Sequence, residues 1–272
     1  MPEHRTKTGQ IIVELRENGV GVVTLNRPAK LNAVTRSLLM ELRDALRGLG
    51  AEAECRAVVL AGGGRAFCAG LDLEIGLGHE APDPVESTYL SMRDGVDVIM
   101  SIREIPQPVI AAVQGHAIGA GFAFAAAADI RFCSPDARFV APFAKLGMSA
   151  GDLGLSWLLP RTIGPGHAAE LFYTGGVLES ADAARLGFVQ RVVDDPLAEA
   201  TTVAATIATM PALGIRMTKE LLNASIGGGG FREHLELEMR SQVIGAATRD
   251  HADAVRAFTE RDRNGSPPSP NK

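Results

Sequence analysis

Cysteine is scarce in this sequence: Cys55, Cys68 and Cys133 are the three in 272 residues, and no CxxC pair or Cys/His cluster accompanies them. An odd number without ligand spacing argues against a disulfide framework and a structural metal, and predicts a reducing compartment, read here as the cytoplasm. No apolar run approaches the roughly 20 residues needed to cross a bilayer, so no membrane is expected as a partner. The first residues, Met-Pro-Glu-His-Arg, lack the charged-then-apolar layout of a secretory signal. Positive charge is also not in excess. Lys and Arg number 27 against 32 Asp and Glu, a net charge of −5. Nucleic acid is therefore not expected as a partner, because it is held by concentrated positive charge. Internal repeats and coiled-coil heptads are missing as well. What remains, 46% hydrophobic and 22% charged, is an ordinary globular composition, with room for one large domain or two small ones.

What is present is glycine in two telling places. The apolar run Ala57-Val-Val-Leu-Ala61 reads as a buried strand, and it enters Gly62-Gly-Gly-Arg-Ala-Phe-Cys-Ala-Gly-Leu-Asp-Leu73. Glycines permit tight turns there, and a strand running into such a loop ends in free backbone N–H groups. The second stretch, Gly115-His-Ala-Ile-Gly-Ala-Gly121, follows the strand-like Val109–Val113 and opens an Ala-rich helical run over 122–128. A helix start adds unpaired N–H groups and partial positive charge. One donor from each turn would form an oxyanion hole.

Around these stretches the pattern predicts strand–helix units. Strands at 11–15 and 20–25 flank the hairpin signal Glu17-Asn-Gly19. Thr35 caps a helix whose one face carries Leu38, Leu39, Leu42, Leu46 and Leu49. Further helices are expected at 86–103 and 157–163, and strands at 129–133, 137–140 and 188–193. Ser180 reads as an N-cap and Gly187 as the C-cap of a short helix. From there to about Arg263 the pattern is helical, broken at Pro211 and at Gly227–Gly230. The expected organisation is an α/β core over 1–195, a C-terminal helical oligomerisation region over 196–263 and a disordered tail over 264–272.

Six segments in order resemble the crotonase (enoyl-CoA hydratase/isomerase) superfamily. They are Leu25–Ala33, Gly64–Leu73, Pro108–Asp129, Leu159–Gly164, Ala181–Gly187 and Ala257–Arg261. The resemblance implies a spiral of β-β-α units, assembled as a homotrimer or a dimer of trimers. It also implies an acyl-CoA thioester as ligand, with coenzyme A as part of the substrate and no separate cofactor. The thioester carbonyl would accept from the N–H groups of Leu71 and Ala120. Ala29, Lys30 and Leu31, with Ala69, Asp72 and Leu73, resemble segments that wrap the coenzyme. Phe258 and Arg261 match residues that reach its nucleotide end.

The sequence also departs from that family. Its hydratases use two glutamates, and the matching positions here are Ala123 and Phe143, neither of which transfers a proton. Asp152 matches an aspartate used by dienoyl-CoA isomerases and a haloaryl-CoA dehalogenase. It is read either as an acid/base or as the N-cap of the following helix. Three functions follow from this: proton transfer or isomerisation through a stabilised enolate, a hydrolase or dehalogenase with Asp152 as nucleophile, and a non-catalytic acyl-CoA binder. Phe143 would line the acyl site. The remaining polar residues have plainer readings. His116 is expected to be structural, His79 an exposed or lid residue, Cys68 a small buried residue, and Asp72 a brace for its loop through backbone N–H groups. Glu233 to Glu238 is charge on a helix face.

Overall fold

In the computed structural model, residues 4–75, 82–227 and 229–263 are described, excepting the side chains of 258 and 260–263. The disordered-tail expectation for 264–272 and the lid expectation for His79 lie outside them.

Short β1 (His4–Arg5) leads to the hairpin of β2 (Ile11–Leu15) and β3 (Val20–Leu25). Then come α1 (Arg36–Ala51), β4 (Ala57–Gly62), α2 (Pro84–Glu104), β5 (Val109–Val113), β6 (His116–Ile118) and α3 (Ala120–Ala127). They continue with β7 (Ile130–Cys133), β8 (Arg138–Val140), α4 (Leu155–Ile163), α5 (Pro165–Thr174), β9 (Val177–Glu179), α6 (Ser180–Arg185) and β10 (Arg191–Val192). The chain closes with α7 (Pro196–Ala208), α8 (Ala212–Ile226), α9 (Phe231–Ala246) and α10 (Arg249–Arg263).

The larger sheet has the order β1-β2-β3-β4-β5-β7-β10, and the smaller one β6-β8-β9. Pairing is antiparallel from β1 to β3 and parallel from β3 to β10. The α/β spiral is visible in the alternation. β5 enters the large sheet, β6 the small one, and α3 follows; β7, β8 and α4 repeat the same turn.

Strands of the large sheet are buried on both faces, which is why they read as unbroken apolar runs. The two-residue period separates the faces. Val58 and Leu60 join the core cluster that includes the α1 leucines, while Ala57, Val59 and Ala61 face Ala200 and Ala204 of α7. Helix α1 forms as its sequence predicts: the Thr35 hydroxyl accepts from the Leu38 N–H at 3.1 Å, and all five leucines are buried. In α3, small and aromatic residues are buried on every side, so its carbonyl end also lies in the interior. The Arg131 side chain supplies donors there. Its Nη1 donates to the Ala128 carbonyl at 2.6 Å and its Nε to the Phe188 carbonyl at 2.5 Å. Burial pulls the guanidinium down to about 10, which leaves it charged at neutral pH.

Several boundaries differ from the sequence reading. The second glycine turn is partly a strand, β6, paired with β8. Of 188–193, Arg191 and Val192 form the paired strand. Ser180 is the first residue of α6 and Glu179 its cap; the Ser180 hydroxyl donates to the Pro135 carbonyl at 2.7 Å. The helix expected at 86–103 begins at Pro84, because the Asp83 carboxylate accepts from the Glu86 N–H at 3.0 Å. The chain divides into two compact units, one ending at Ala208 and one starting at Thr209, so α7 belongs to the first.

Candidate active site

The two glycine stretches meet beyond the ends of β4 and β5. The Cys68 N–H donates to the His116 carbonyl and the Ile118 N–H to the Cys68 carbonyl, each at 2.9 Å, which ties residue 68 alongside β6. Three residues later Leu71 bridges Val34 in parallel. The Val34 N–H donates to the Gly70 carbonyl at 2.7 Å and the Asp72 N–H to the Val34 carbonyl at 2.9 Å. In such a bridge the flanking peptides do the bonding, so the N–H of Leu71 itself points away from Val34. It has no acceptor among the described residues. Ala120 is the first residue of α3, and its N–H lacks an intrahelical acceptor for that reason.

Glycine brings these donors close. Gly70 has φ of +81°, and a Cβ there would stand 2.8 Å from the Ile118 carbonyl oxygen and 3.9 Å from the Ala120 nitrogen. A Cβ on Gly121 would stand 2.4 Å from the Cys68 carbonyl oxygen, inside any permitted contact. With hydrogen atoms in their place, the loop and the start of α3 touch.

Behind the loop sits Asn32, fully buried and with φ of +57°. Its amide NH2 donates toward the carbonyls of Gly63, Ala66 and Phe67 at 2.9, 2.8 and 3.1 Å, and its Oδ1 accepts from the Arg27 N–H at 2.8 Å. Sequence reasoning quoted Asn32 as part of a segment and missed this role. The signal was a short polar side chain, suited to the left-handed region, in a Pro-containing loop.

Asp72 is held by Arg27, whose Nη2 donates to its carboxylate at 2.9 Å. It also accepts from the Glu74 N–H at 3.3 Å, the backbone brace expected of it. Burial raises the Asp72 carboxyl, but the Arg27 hydrogen bond and charge outweigh it and hold the group below its ordinary range. The stabilisation is present above the ordinary aspartate value and is lost as pH falls through the depressed native one. Asp72→Asn is therefore expected to cost about 3 kcal/mol at pH 7, since a mostly buried Arg27 loses its counter-ion. Urea denaturation should show the gap from wild type narrowing below pH ~4.

Of the other sequence-predicted residues, Ala69 is tied to the 28–31 segment, its N–H donating to the Leu31 carbonyl at 2.9 Å. Lys30 pairs with Glu74 at 2.6 Å on the surface, and Ala29 and Leu73 are exposed nearby. The side chains of Phe258 and Arg261 lie outside the described residues. Ala123 is wholly buried one turn into α3, and its N–H donates to the Gly119 carbonyl at 3.0 Å. Phe143 is buried, with its ring tip 3.9 Å from where a Cβ on Gly119 would be. It walls the turn that carries Ala120.

Asp152 lies in the loop before α4, a helix that packs on α3. The N-cap reading fails, because Gly154 occupies that position and no side chain caps the helix. Among the described residues the Asp152 carboxylate has no hydrogen-bond or ion-pair partner. Burial pushes its pKa up to about 6.

His116 contributes a backbone carbonyl to the loop, and its Nδ1 is buried without a partner. Burial pushes the Cys68 thiol up to about 12, which rules out a thiolate at neutral pH. No group of three or more His, Cys, Asp or Glu suited to a metal occurs among the described residues.

The N–H groups of Leu71 and Ala120 thus lie where the two glycine stretches meet, and Asp152 lies in the loop that leads into the helix packed on α3. Residues 15–265 match the family model described as enoyl-CoA hydratase/isomerase. The probable enoyl-CoA hydratase EchA12 of Mycobacterium tuberculosis is 36% identical over 264 residues, covering 95% of this chain and 93% of that protein. EchA14 of the same organism, also a probable enoyl-CoA hydratase, is 37% identical over 225 residues, covering 82% and 86%. The solved enoyl-CoA hydratase of Polaromonas superposes with a TM-score of 0.87 at 30% identity, covering 92% of this chain and 97% of that one. That of Mycobacterium smegmatis gives 0.85 at 31%, covering 93% and 96%. This chain belongs to the enoyl-CoA hydratase/isomerase family.

Proposed function

We propose that this chain acts on an acyl-CoA thioester, stabilising an enolate at the thioester carbonyl through the N–H groups of Leu71 and Ala120. The observation that carries this reading is the pair of backbone donors brought together by the Gly70 and Gly121 contacts. Fixed donors aimed at developing negative charge lower the barrier because no reorganisation is needed as the charge forms. Asp152 supplies the acid/base: a carboxyl raised to about 6 is matched to proton transfer near neutral pH. With Ala at 123 and Phe at 143, syn-addition of water by two glutamates has no agents. The reaction is proton transfer or isomerisation. The 29–31 and 69–73 segments hold the coenzyme. Phe143 bounds the acyl group. The assembly is a homotrimer or a dimer of trimers, a reading supported by the exposed Phe231, Leu237, Met239, Val243 and Ile244 of α9.

Incubation with crotonyl-CoA and a longer 2-enoyl-CoA in heavy water, read by mass spectrometry, tests the chemistry. Deuterium uptake at carbon without hydration is expected. Hydration at an ordinary hydratase rate would overturn the proton-transfer reading, and binding without any exchange would point to an acyl-CoA binder. Asp152→Asn should lower the uptake by about 10²- to 10⁴-fold, leaving a measurable residual rate. A covalent adduct on Asp152 in quenched enzyme would instead favour the nucleophile reading. The wild-type rate should rise with pH through about 6 when Asp152 acts as base. Because a raised native pKa costs stability as pH rises past the ordinary value, Asp152→Asn should also be the more stable protein above pH ~6, by up to roughly 2 kcal/mol. That difference should vanish near pH ~4.

A further inference from the structure

A carboxylate without a hydrogen-bond partner is placed by its backbone and by the neighbours of that backbone. For Asp152 those neighbours are unusual. Leu153 has φ of +46° and Gly154 φ of +78°, so two left-handed residues follow the carboxylate directly. The left-handed region suits glycine but crowds the Cβ of a leucine, so something must hold Leu153 there. Its side chain is buried in the main core cluster. A Cβ on Gly95 would lie 2.8 Å from Leu153 Cδ2, 3.4 Å from Cδ1 and 3.7 Å from Cγ. The leucine therefore fills a notch in α2 that is open because residue 95 has no side chain.

The notch is itself fixed. Asp94, the preceding residue, accepts from Arg36 Nε at 2.7 Å and lies 4.0 Å from Arg43, both on α1. About two turns further along α2, Ser101 accepts from Arg47 Nε at 3.1 Å. Leu153 thus plugs into a helix that is clamped on its other side. The loop is also tied to α4: the Leu155 N–H donates to the Asp152 carbonyl oxygen at 2.9 Å, and the Trp157 and Leu158 N–H groups donate to the Gly154 carbonyl at 3.0 Å.

We propose that Gly95 and Leu153 are positioning residues for Asp152. The side chain of Leu153, seated in the Gly95 notch, holds the loop in its left-handed conformation and so fixes where the carboxylate stands. This rests on the reading of Asp152 as the acid/base. The three heavy atoms nearest a Cβ on Gly95 all belong to Leu153, through which Gly95 acts. Leu153 acts through the peptide it shares with Asp152.

Gly95→Ala blocks the notch and Leu153→Ala empties it. Two measurements separate this proposal from the reading it rests on. The first is amide hydrogen exchange of the 149–155 segment in the free protein, which needs no substrate. Faster exchange in both variants is expected, and unchanged exchange in both overturns the proposal whatever Asp152 does. If Gly95→Ala fails to fold, the segment in Leu153→Ala decides the matter alone. The second is deuterium uptake by acyl-CoA at saturation, with acyl-CoA affinity measured alongside. Each variant should lower the maximal rate by about 10- to 100-fold, as sub-ångström to ångström misplacement does, with affinity within about twofold. In an Asp152→Asn background neither variant should lower the rate further. A full additional loss there would show that the pair acts independently of Asp152 and would overturn the proposal. Faster segment exchange together with an Asp152→Asn protein of undiminished rate would uphold the anchoring and sink the acid/base role.

Discussion

Ala120→Pro is expected to lower the rate of deuterium uptake by acyl-CoA by about 10²- to 10³-fold, the usual cost of one oxyanion donor. Proline deletes a backbone N–H, the atom that the proposed mechanism takes from residue 120. The position is favourable for the experiment. Residue 120 is the first residue of α3, where an N–H has no intrahelical acceptor to lose and where proline's fixed φ suits the helix. Circular dichroism and the melting temperature should therefore stay near wild type while the rate collapses. Ala120→Gly, which keeps the N–H and removes a methyl, should retain most of the rate. An Ala120→Pro protein that exchanges deuterium at the wild-type rate would remove residue 120 from the mechanism. Equal losses in the proline and glycine variants would assign the effect to packing.

Asn32→Ala is expected to lower stability by about 3 kcal/mol. The side chain is fully buried, and its loss strands the carbonyls it serves as well as the Arg27 N–H. Alanine would also occupy φ of +57°, where asparagine is better tolerated. For a unit of this size the melting temperature should fall by roughly 6–12 °C. Asn32→Asp is a sharper test, because it keeps the shape, removes the NH2 donor and turns a carboxylate oxygen toward three carbonyls. It should be worse than alanine. If aspartate proves milder, the NH2 bonds are not what holds the loop.

The features that could be read from the sequence are the locally determined ones. The leucine face of α1 and its Thr35 cap are fixed within one helix, and the runs of β4 and β5 declare their burial by having no polar side. Both glycine stretches were legible because Gly70 and Gly121 are needed for close approach, and composition records that need. The misses share a different cause. Strand β6 is three residues long and takes its bonds from residue 68 and from β8, which no local window contains. Asn32 finds its acceptors 31 to 35 residues away. Ser180 looks like a cap until Pro135 claims its hydroxyl. Asp152 looked equally like one, and it took the left-handed Gly154 to displace it. The fold class followed from pattern, the meeting of the two turns from glycine, and the placement of the carboxylate from contacts that the linear chain does not announce.

The contact of Gly121 with the Cys68 carbonyl divides what mutation can reach in this protein. The proposed hole is built of peptide groups, and a single methyl at residue 121 would force the Cys68 carbonyl and the start of α3 apart. Residues 123 and 143, by contrast, are buried side chains, Ala123 within α3 and Phe143 against the turn at Gly119. Side chains at those two positions can therefore be exchanged without adding an atom to the Gly121–Cys68 contact. Variation is open at the side chains, whereas at Gly121 a single added carbon has no room.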